Sequence, residues 1–329
     1  MKGLFLLRPT AFEQIYGLDE AAAVGQLIEL YAPPQSAESI QRDPRVLESA
    51  EVILSGWGMP KMDAAFLAAA PHLQAVFYGA GSVKGITTDA FWARSIQITS
   101  AAAANAVPVV EYTLSQILFC LKLGWRHALE IKGEQRYPGR HHVPGVYGST
   151  VGIISLGLIG RRVCEMLRPF DLRVIAYDPF AAPEAAAALG VELVALDELF
   201  QRADVVSLHT PWLPETERLI TGAHFAAMKP NAAFINTARG AIVAEDEMIA
   251  VLQQRRDIQA VLDVTYPEPP APGSLLYTLP NVVLTPHIAG SLNGECRRMG
   301  RMMVDELRRF CNGQPLQWAV TREKEAISA

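Results

Sequence analysis

The sequence predicts an α/β protein of two domains, each built on a parallel sheet covered by helices. Three observations support this prediction. The chain of 329 residues is too long for one typical core. Half of its residues are apolar and 19% are charged, which is a globular composition. Short β-rich stretches alternate with helical patterns in two separate series, and such alternation is typical of parallel sheets.

The first series occupies the first hundred residues. Runs rich in Val, Ile, Leu and Phe predict strands over 3–7, 52–54, 74–78 and 96–99. Between them, a helical pattern of apolar residues spans 61–70. These elements predict one α/β unit.

The second series begins at residue 151 and alternates more clearly. Its predicted strands are 151–155, 173–177, 205–208, 233–236, 260–264 and 282–285, and its clearest helices are 158–167 and 245–255. This pattern is typical of a doubly wound sheet with helices on both faces.

Two longer helices flank the second series. One is expected to begin near Asn105, and an amphipathic one over 292–311 should end at the Asn-Gly pair that follows. Because the second series has its full set of strands by residue 285, the C-terminal segment is expected to return to the first domain. The predicted domains are therefore 1–100 with 291–329, and 101–290. Their crossings near residues 100 and 290 are expected to act as a hinge.

Composition excludes several classes of partner. The formal charge is -5, and no basic block suits a phosphate backbone. The N-terminal apolar run is too short for a signal peptide, and the apolar stretch 101–123 contains polar residues that are costly in lipid, so we expect a buried helix there. The four cysteines lie far apart without a CxxC motif, which disfavours disulfides and zinc. We expect a cytoplasmic protein with no metal and no nucleic-acid or membrane partner.

A glycine-rich turn, SLGLIG, joins a predicted strand to a predicted helix. Gly157 would let the backbone approach a pyrophosphate where Leu158 and Ile159 open the helix, and Gly160 would let the helix lie close to the strand. Ser155 replaces the first glycine of the GxGxxG fingerprint; serine is small and can bond its own backbone. Taken alone, such a glycine pair is more often an ordinary turn.

Asp178 strengthens the nucleotide hypothesis because it ends the next predicted strand. A carboxylate at that place can hold the ribose hydroxyls of an adenosine, and it repels a 2′-phosphate. No arginine follows it directly. The second series is therefore predicted to be a Rossmann dinucleotide-binding domain that uses NAD in preference to NADP.

Three chemically capable residues, Arg239, Glu268 and His287, each follow a different predicted strand of this domain. The carboxyl ends of strands in an open α/β sheet form the ligand crevice. Hydride transfer to a keto acid needs a cation for the carboxylate, a proton donor and a group that tunes the donor. Arg239 offers a planar fork for oxygens, and His287 exchanges a proton near neutrality. Glu268 would stabilise the imidazolium and fix the ring.

Each of these residues alone has an ordinary explanation. Arg239 could form a surface ion pair, Glu268 could be a loop residue, and His287 could be a satisfied buried histidine. Their occurrence in order, at successive strand ends behind a nucleotide turn, favours an active site.

The motifs SLGLIG, YDP, NTARG, DVTYPEP and LTPHIAG resemble the D-isomer-specific 2-hydroxyacid dehydrogenase family. The resemblance is strongest between residues 148 and 290 and diffuse in the first seventy. It implies an NAD(H)-dependent oxidoreductase that interconverts a small 2-keto acid and its D-2-hydroxy acid, with Arg239, Glu268 and His287 in the family's catalytic roles. The first domain would then be a flavodoxin-like, discontinuous substrate-binding domain, closing on the substrate and excluding water.

The resemblance also implies further site residues. The substrate would contact a glycine loop through its backbone amides, together with an asparagine: Ala80, Gly81, Ser82 and Asn105, besides Arg239 and His287. The cofactor would contact residues at several strand ends: His209, Thr210, Pro211, Thr237, Ala238, Arg239, Asp263 and His287, besides the glycine turn and Asp178. Asp263 would lie near the nicotinamide amide.

The chain departs from the family in places besides Ser155. Leu158 stands where an arginine is frequent, and Ala244 stands where an acidic residue is frequent. Arg161 or Arg162 is a candidate for the missing phosphate contact, with a helix-surface role as an equal alternative.

Three questions stay open at this point. A non-catalytic NAD(H)-sensing or corepressor-like protein of the same fold is the alternative function, although no nuclear-localisation run or long disordered tail supports it. A formate dehydrogenase of this fold resembles a version with glutamine at the position of Glu268, so the glutamate argues against that activity. The family implies a homodimer through region 101–123, with simple burial as the alternative. The physiological 2-keto acid is undetermined.

Overall fold

The computed structural model describes residues 1–140 and 142–328, and the chain divides into two compact units. The first comprises Met1–Ala106 and Ser291–Ala329, and the second comprises Val107–Gly290. The first division therefore lies after Ala106 and not at residue 100. The reason is that Ala101 and Ala104 pack into the core of the first unit together with Met299.

The first unit contains a five-stranded parallel sheet in the order β2-β1-β3-β4-β5. Its strands are β1 (Lys2–Leu6), β2 (Glu29–Leu30), β3 (Val52–Ser55), β4 (Ala75–Tyr78) and β5 (Gln97–Ser100). Alternate residues of β1, β3 and β4 enter separate cores on the two faces, as in β4, where Val76 and Tyr78 lie on one face and Ala75 and Phe77 on the other. Such two-sided burial is typical of parallel sheets.

Helices cover both faces of this sheet. They are α1 (Pro9–Ile15), α2 (Gly17–Gly25), α3 (Ala37–Arg42), α4 (Ala64–Ala69), α5 (Asp89–Trp92), α13 (Cys296–Cys311) and α14 (Arg322–Ile327). Helix α13 packs against α1 so closely that a side chain at Gly300 would collide with the carbonyl of Ile15. The buried carboxylate of Glu20 accepts hydrogen bonds from Arg297 and Arg301 on α13. These contacts hold the C-terminal segment in the first unit.

Two helices connect the sheets along the chain, α6 (Ala102–Leu121) and α7 (Gly124–Glu134). Helix α6 is long and apolar enough to cross a membrane by length and composition alone, and core helices of soluble proteins pass the same test. Its residues Val110, Ile117 and Cys120 are buried in a core of the second unit.

The second unit contains a seven-stranded parallel sheet in the order β12-β11-β10-β9-β6-β7-β8. Its strands are β6 (Thr150–Ile154), β7 (Arg173–Tyr177), β8 (Glu192–Leu193), β9 (Val205–Leu208), β10 (Ala233–Asn236), β11 (Gln259–Leu262) and β12 (Val282–Leu284). Its covering helices are α8 (Leu158–Leu167), α9 (Pro183–Ala188), α10 (Leu196–Arg202), α11 (Gly222–Ala227) and α12 (Glu245–Gln254). The predicted α/β class, with a Rossmann-type sheet, is confirmed.

Three predicted helix starts were wrong by a few residues, and side-chain caps explain two of them. Helix α4 begins after Asp63, whose carboxylate accepts the N–H of Phe66. Helix α13 begins at Cys296, because residues 292–295 form a separate turn closed by Glu295 on the N–H of Leu292. Helix α6 already starts at Ala102, so Asn105 lies inside it.

Candidate active site

The glycine-rich turn follows β6, and at position 155 its backbone has a conformation that glycine favours although the residue is serine. Ser155 has φ of 75°, in the left-handed region that L-residues seldom adopt. Its hydroxyl forms a 2.8 Å hydrogen bond with the hydroxyl of Thr210, which follows β9. The serine therefore keeps the tight turn and ties it to the neighbouring strand end.

The two remaining fingerprint glycines have different surroundings. A side chain at Gly160 would collide with the carbonyl of Ser155, so the helix lies against the turn only because this residue has no Cβ. A Cβ at Gly157 would meet nothing within 4 Å, which leaves the N-terminus of α8 open to a ligand. Open amides at a helix N-terminus fit a pyrophosphate.

The carboxylate of Asp178 stands beside this turn, at the end of β7. One oxygen accepts the N–H of Leu156 at 2.7 Å and the other accepts the N–H of Phe180 at 2.8 Å. A carboxylate offers about four acceptor positions, so about two remain for ribose hydroxyls. Arg161 is held nearby, because its Nε donates to the carbonyl of Leu156 at 2.6 Å. The residues present therefore fit an adenosine dinucleotide.

Glu268 and His287, which follow β11 and β12, are brought together. Nδ1 of His287 lies 2.7 Å from Oε1 of Glu268, and both side chains are about half exposed, at 47% and 42%. With Nδ1 engaged, Nε2 is the ring nitrogen left to face a substrate. A carboxylate on one side and an open nitrogen on the other is the arrangement of a general acid–base histidine.

Arg239 follows β10, the strand next to β11. Burial lowers the pKa of its guanidinium, while the nearby Glu268 carboxylate opposes that shift, and arginine remains charged at neutral pH. Nη1 donates to the carbonyl of Ala238 at 2.6 Å. Asn236 fixes this loop by accepting the N–H of Ala238 and donating to the carbonyl of Arg239. The adjacent Thr237 hydroxyl bonds Thr113.

Asp263 holds the segment that carries His287. Its carboxylate is 2% exposed and accepts hydrogen bonds from the hydroxyl of Thr285 and from the N–H groups of Ile288 and Ala289. The backbone of His287 has φ of 55°, a left-handed conformation that needs such support. Asp263 thus positions the histidine, a role that the sequence did not predict; its contact with the nicotinamide amide stays a prediction.

His209 follows β9 and has a different environment. It is 9% exposed, its Nε2 lies 3.0 Å from the hydroxyl of Ser207, and its buried Nδ1 has no hydrogen-bond partner within the described chain. Burial lowers the pKa of this imidazole to about 3. His209 is therefore neutral near pH 7. The predicted neighbours Thr210 and Pro211 continue the same loop.

The predicted substrate residues of the first unit lie close to each other. Ala80, Gly81 and Ser82 form the loop after β4, and a Cβ at Gly81 would lie 3.8 Å from Nδ2 of Asn105. Oδ1 of Asn105 accepts the N–H of Ser291 at 2.9 Å. This bond fixes the amide, so its Nδ2 points to the glycine loop.

Two aromatic residues at the strand ends of the second unit were missed by sequence reasoning. Trp212 after β9 and Tyr266 after β11 meet edge to face, with ring centroids 5.4 Å apart. Because β10 lies between β9 and β11, their contact spans the end of the strand that carries Arg239. Glu245 supports the same segment by accepting the N–H of Tyr266. No linear motif signals a contact of this kind.

Comparison with known proteins gives a consistent result. Residues 118–289 match the profile described as D-isomer specific 2-hydroxyacid dehydrogenase, NAD binding domain. The D-3-phosphoglycerate dehydrogenase of Mycobacterium leprae is 33% identical over 253 residues, which are 77% of this chain and 48% of that protein. The chain spans about half the length of the curated relatives it matches.

Solved structures agree over nearly the whole chain. The D-lactate dehydrogenase from Aquifex aeolicus, complexed with NAD and lactic acid, is 25% identical with a TM-score of 0.70, covering 94% of this chain and 96% of that one. The NAD-complexed D-isomer specific 2-hydroxyacid dehydrogenase from Lactobacillus delbrueckii ssp. bulgaricus has a TM-score of 0.81 at 22% identity, covering 98% and 100%. This second likeness concerns the fold alone.

Proposed function

Since the chain belongs to the D-isomer specific 2-hydroxyacid dehydrogenase family, we propose that it is an oxidoreductase that interconverts a small 2-keto acid and the D-2-hydroxy acid. The second unit is an NAD-binding domain of this family. The observation that carries the proposal is the 2.7 Å contact between Nδ1 of His287 and Oε1 of Glu268. Glu268 follows β11, which is adjacent in the sheet to β10, the strand that Arg239 follows.

Each of the three residues has a separate task in keto-acid reduction. When bound, NADH supplies the hydride that reduces C2. The guanidinium of Arg239 holds the substrate carboxylate and polarises the carbonyl with N–H groups that Ala238 does not use. Nε2 of the protonated His287 donates its proton to the C2 oxygen. Glu268 accepts the Nδ1–H, which orients the ring and stabilises the charged imidazole before transfer. Oxidation of the hydroxy acid runs these proton movements in reverse.

The remaining predicted residues have binding tasks in this proposal. The amides of the Gly81 loop and the Nδ2 group of Asn105 would bind the substrate. Asp178 would hold the ribose hydroxyls and favour NAD over NADP, because its charge repels a 2′-phosphate. We also propose that the protein is cytoplasmic and forms a homodimer. Light scattering during gel filtration would test the dimer.

The decisive experiment follows NADH absorbance with a panel of 2-keto acids: glyoxylate, hydroxypyruvate, pyruvate, phenylpyruvate and branched acids. Consumption of NADH with formation of the D product, by chiral chromatography, supports the proposal. Tight NADH binding without turnover of any panel member would contradict it and favour an NAD(H)-sensing role. NADPH at equal concentration is expected to be the poorer reductant.

A further inference from the structure

Three neighbouring strands of the first unit end together at the carboxyl end of its sheet. Leu6, Ser55 and Tyr78 stand in register at the ends of β1, β3 and β4. Leu6 and Tyr78 enter the same core, whereas Leu7 enters the core on the opposite face. Arg8 follows the end of β1 after a bend at Leu7, and its N–H bonds the carbonyl of Trp57 in the turn after β3, so it lies at the same carboxyl end of the sheet as Tyr78. Strands β1 and β4 flank β3, so about 10 Å separates the two outer backbones.

Arg8 is an exposed cation whose stem is nevertheless held in place. Gly58, in the turn after β3, has φ of 92°, and any side chain there would collide with Cγ of Arg8. The N–H of Arg8 donates to the carbonyl of Trp57 at 3.0 Å, which fixes its backbone to the same turn. Among residues 1–140 and 142–328, the guanidinium has no hydrogen-bond or ion-pair partner. Its N–H donors are therefore available to a ligand.

Tyr78 supplies a second donor beside this cation. Its side chain is packed in the core with 7% of the residue exposed, and within the described chain its hydroxyl has no hydrogen-bond partner. Among the described residues, this hydroxyl is not one of the buried polar atoms left without a partner, so it keeps access to solvent and is open to a ligand. Burial raises the pKa of Tyr78 and the positive charge of Arg8 opposes the shift, so the two groups interact electrostatically.

We propose that Arg8 and Tyr78 together bind a second anionic group of the substrate, a carboxylate or a phosphate at the end remote from the 2-keto acid group. A guanidinium fork with an adjacent phenol donates several hydrogen bonds to such a group. The Gly81 loop begins directly after Tyr78, so a substrate whose 2-keto carboxylate lies on that loop extends along the same strand ends. The inference rests on the proposed function and narrows its substrates to 2-keto acids with a second acidic group.

A matched substrate pair tests this proposal. 2-Oxoglutarate and 2-oxopentanoate share a five-carbon chain and differ in the remote carboxylate. The wild type should prefer 2-oxoglutarate. Arg8→Met should lower kcat/KM for 2-oxoglutarate by about 10- to 100-fold, because a hydrogen bond to a charged group is lost. The same variant should change kcat/KM for 2-oxopentanoate by less than about twofold. Tyr78→Phe keeps the ring and should lower the same kcat/KM by up to about tenfold.

Two further arms make the result specific. 3-Phosphohydroxypyruvate set against hydroxypyruvate distinguishes a phosphate from a carboxylate as the remote group. Arg45→Met removes another exposed arginine, which is paired with Asp43. This control variant should leave kcat/KM unchanged for both substrates of each pair. Calorimetric titration of each acid into the protein with NAD measures affinity independently of turnover.

The outcomes distinguish failure of the anion site from failure of the proposed oxidoreductase function. Equal losses of kcat/KM on both members of each pair, or a wild type that prefers both members without a remote anionic group, would overturn the anion site while leaving the oxidoreductase intact. If no acid is turned over but the diacid binds and Arg8→Met abolishes its binding, the proposed function fails and the site stands. If Arg8→Met unfolds, the Tyr78→Phe comparison decides, since a wild-type substrate ratio in that variant also counts against the site.

Discussion

The second unit contains two histidines that follow strands at the same edge of one sheet and differ in almost every other respect. His209 comes after β9, is buried, and has a serine hydroxyl as its neighbour. His287 comes after β12, is half exposed, and has the carboxylate of Glu268 against Nδ1. Position along the sheet edge is therefore not what assigns a histidine its chemistry.

The environments of the two rings account for the difference. Burial lowers the pKa of His209 to about 3, because an imidazolium without water or a counter-charge is unfavourable. That ring is neutral near pH 7 and therefore has no imidazolium proton to transfer to a substrate. His287 has a carboxylate to stabilise its charged form, solvent access, and a left-handed backbone supported by Asp263. A buried neutral histidine contributes to structure, whereas a paired and accessible one can transfer protons.

Replacing each ring by glutamine should give the largest contrast. His287→Gln removes the proton donor, and we expect kcat for keto-acid reduction to fall by roughly 10²- to 10⁴-fold. NADH affinity, measured by fluorescence titration, should stay within a few-fold of the wild type. His209→Gln should change kcat only a few-fold. Equal losses in the two variants, or full activity in His287→Gln, would remove the distinction between them.

In acid unfolding, we expect the buried His209 to affect stability more than an exposed histidine does. The pKa of His209 in the folded protein, about 3, lies below the unfolded value of about 6.5, so the unfolded chain binds the proton first. The resulting stability is fully present above about pH 6.5 and is lost as pH falls towards 3, reaching roughly 3 kcal/mol by about pH 4. Urea unfolding of wild type and His209→Gln at about pH 7 and pH 4 measures this loss.

The glutamine variant cannot take up that proton, so its stability should fall less between the two pH values. His72→Gln, at an exposed histidine, is the matched control and should behave as the wild type. A wild type and a His209→Gln variant that lose equal free energy over this range would show that the buried ring is not the titrating group.

How much of the fold was predictable depends on how much apolar pattern each element carries. Strands β9 and β10 and helix α8 occur with the predicted bounds, because each is a run or periodic face of buried residues. Strands β2 and β8 were missed, since each has two residues and exposed positions at the edge of its sheet. A segment of two residues is too short to show the alternation of apolar and polar side chains that predicts a strand.

The site was predictable only as far as strand order determines it. Arg239, Glu268 and His287 were expected together because the carboxyl ends of parallel strands share one edge, and their strands are adjacent in the sheet. The support of the His287 segment by Asp263 depends on hydrogen bonds between loops that no motif spells out. The burial of His209 is likewise a tertiary property.

The smallest of the expected effects is at the partner of His287. Glu268→Gln keeps the size of the side chain and an acceptor for the Nδ1–H, but it removes the charge that stabilises the imidazolium. We expect kcat for reduction to fall by about 5- to 10-fold, because a charge-assisted hydrogen bond is roughly twice as strong as the neutral one that replaces it. Steady-state rates of NADH consumption with a 2-keto acid measure this loss. Glu215→Gln, at an exposed loop carboxylate, should leave kcat unchanged. A kcat in Glu268→Gln that matches the wild type would mean that the carboxylate only orients the ring, and the electrostatic half of the contrast with His209 would be lost.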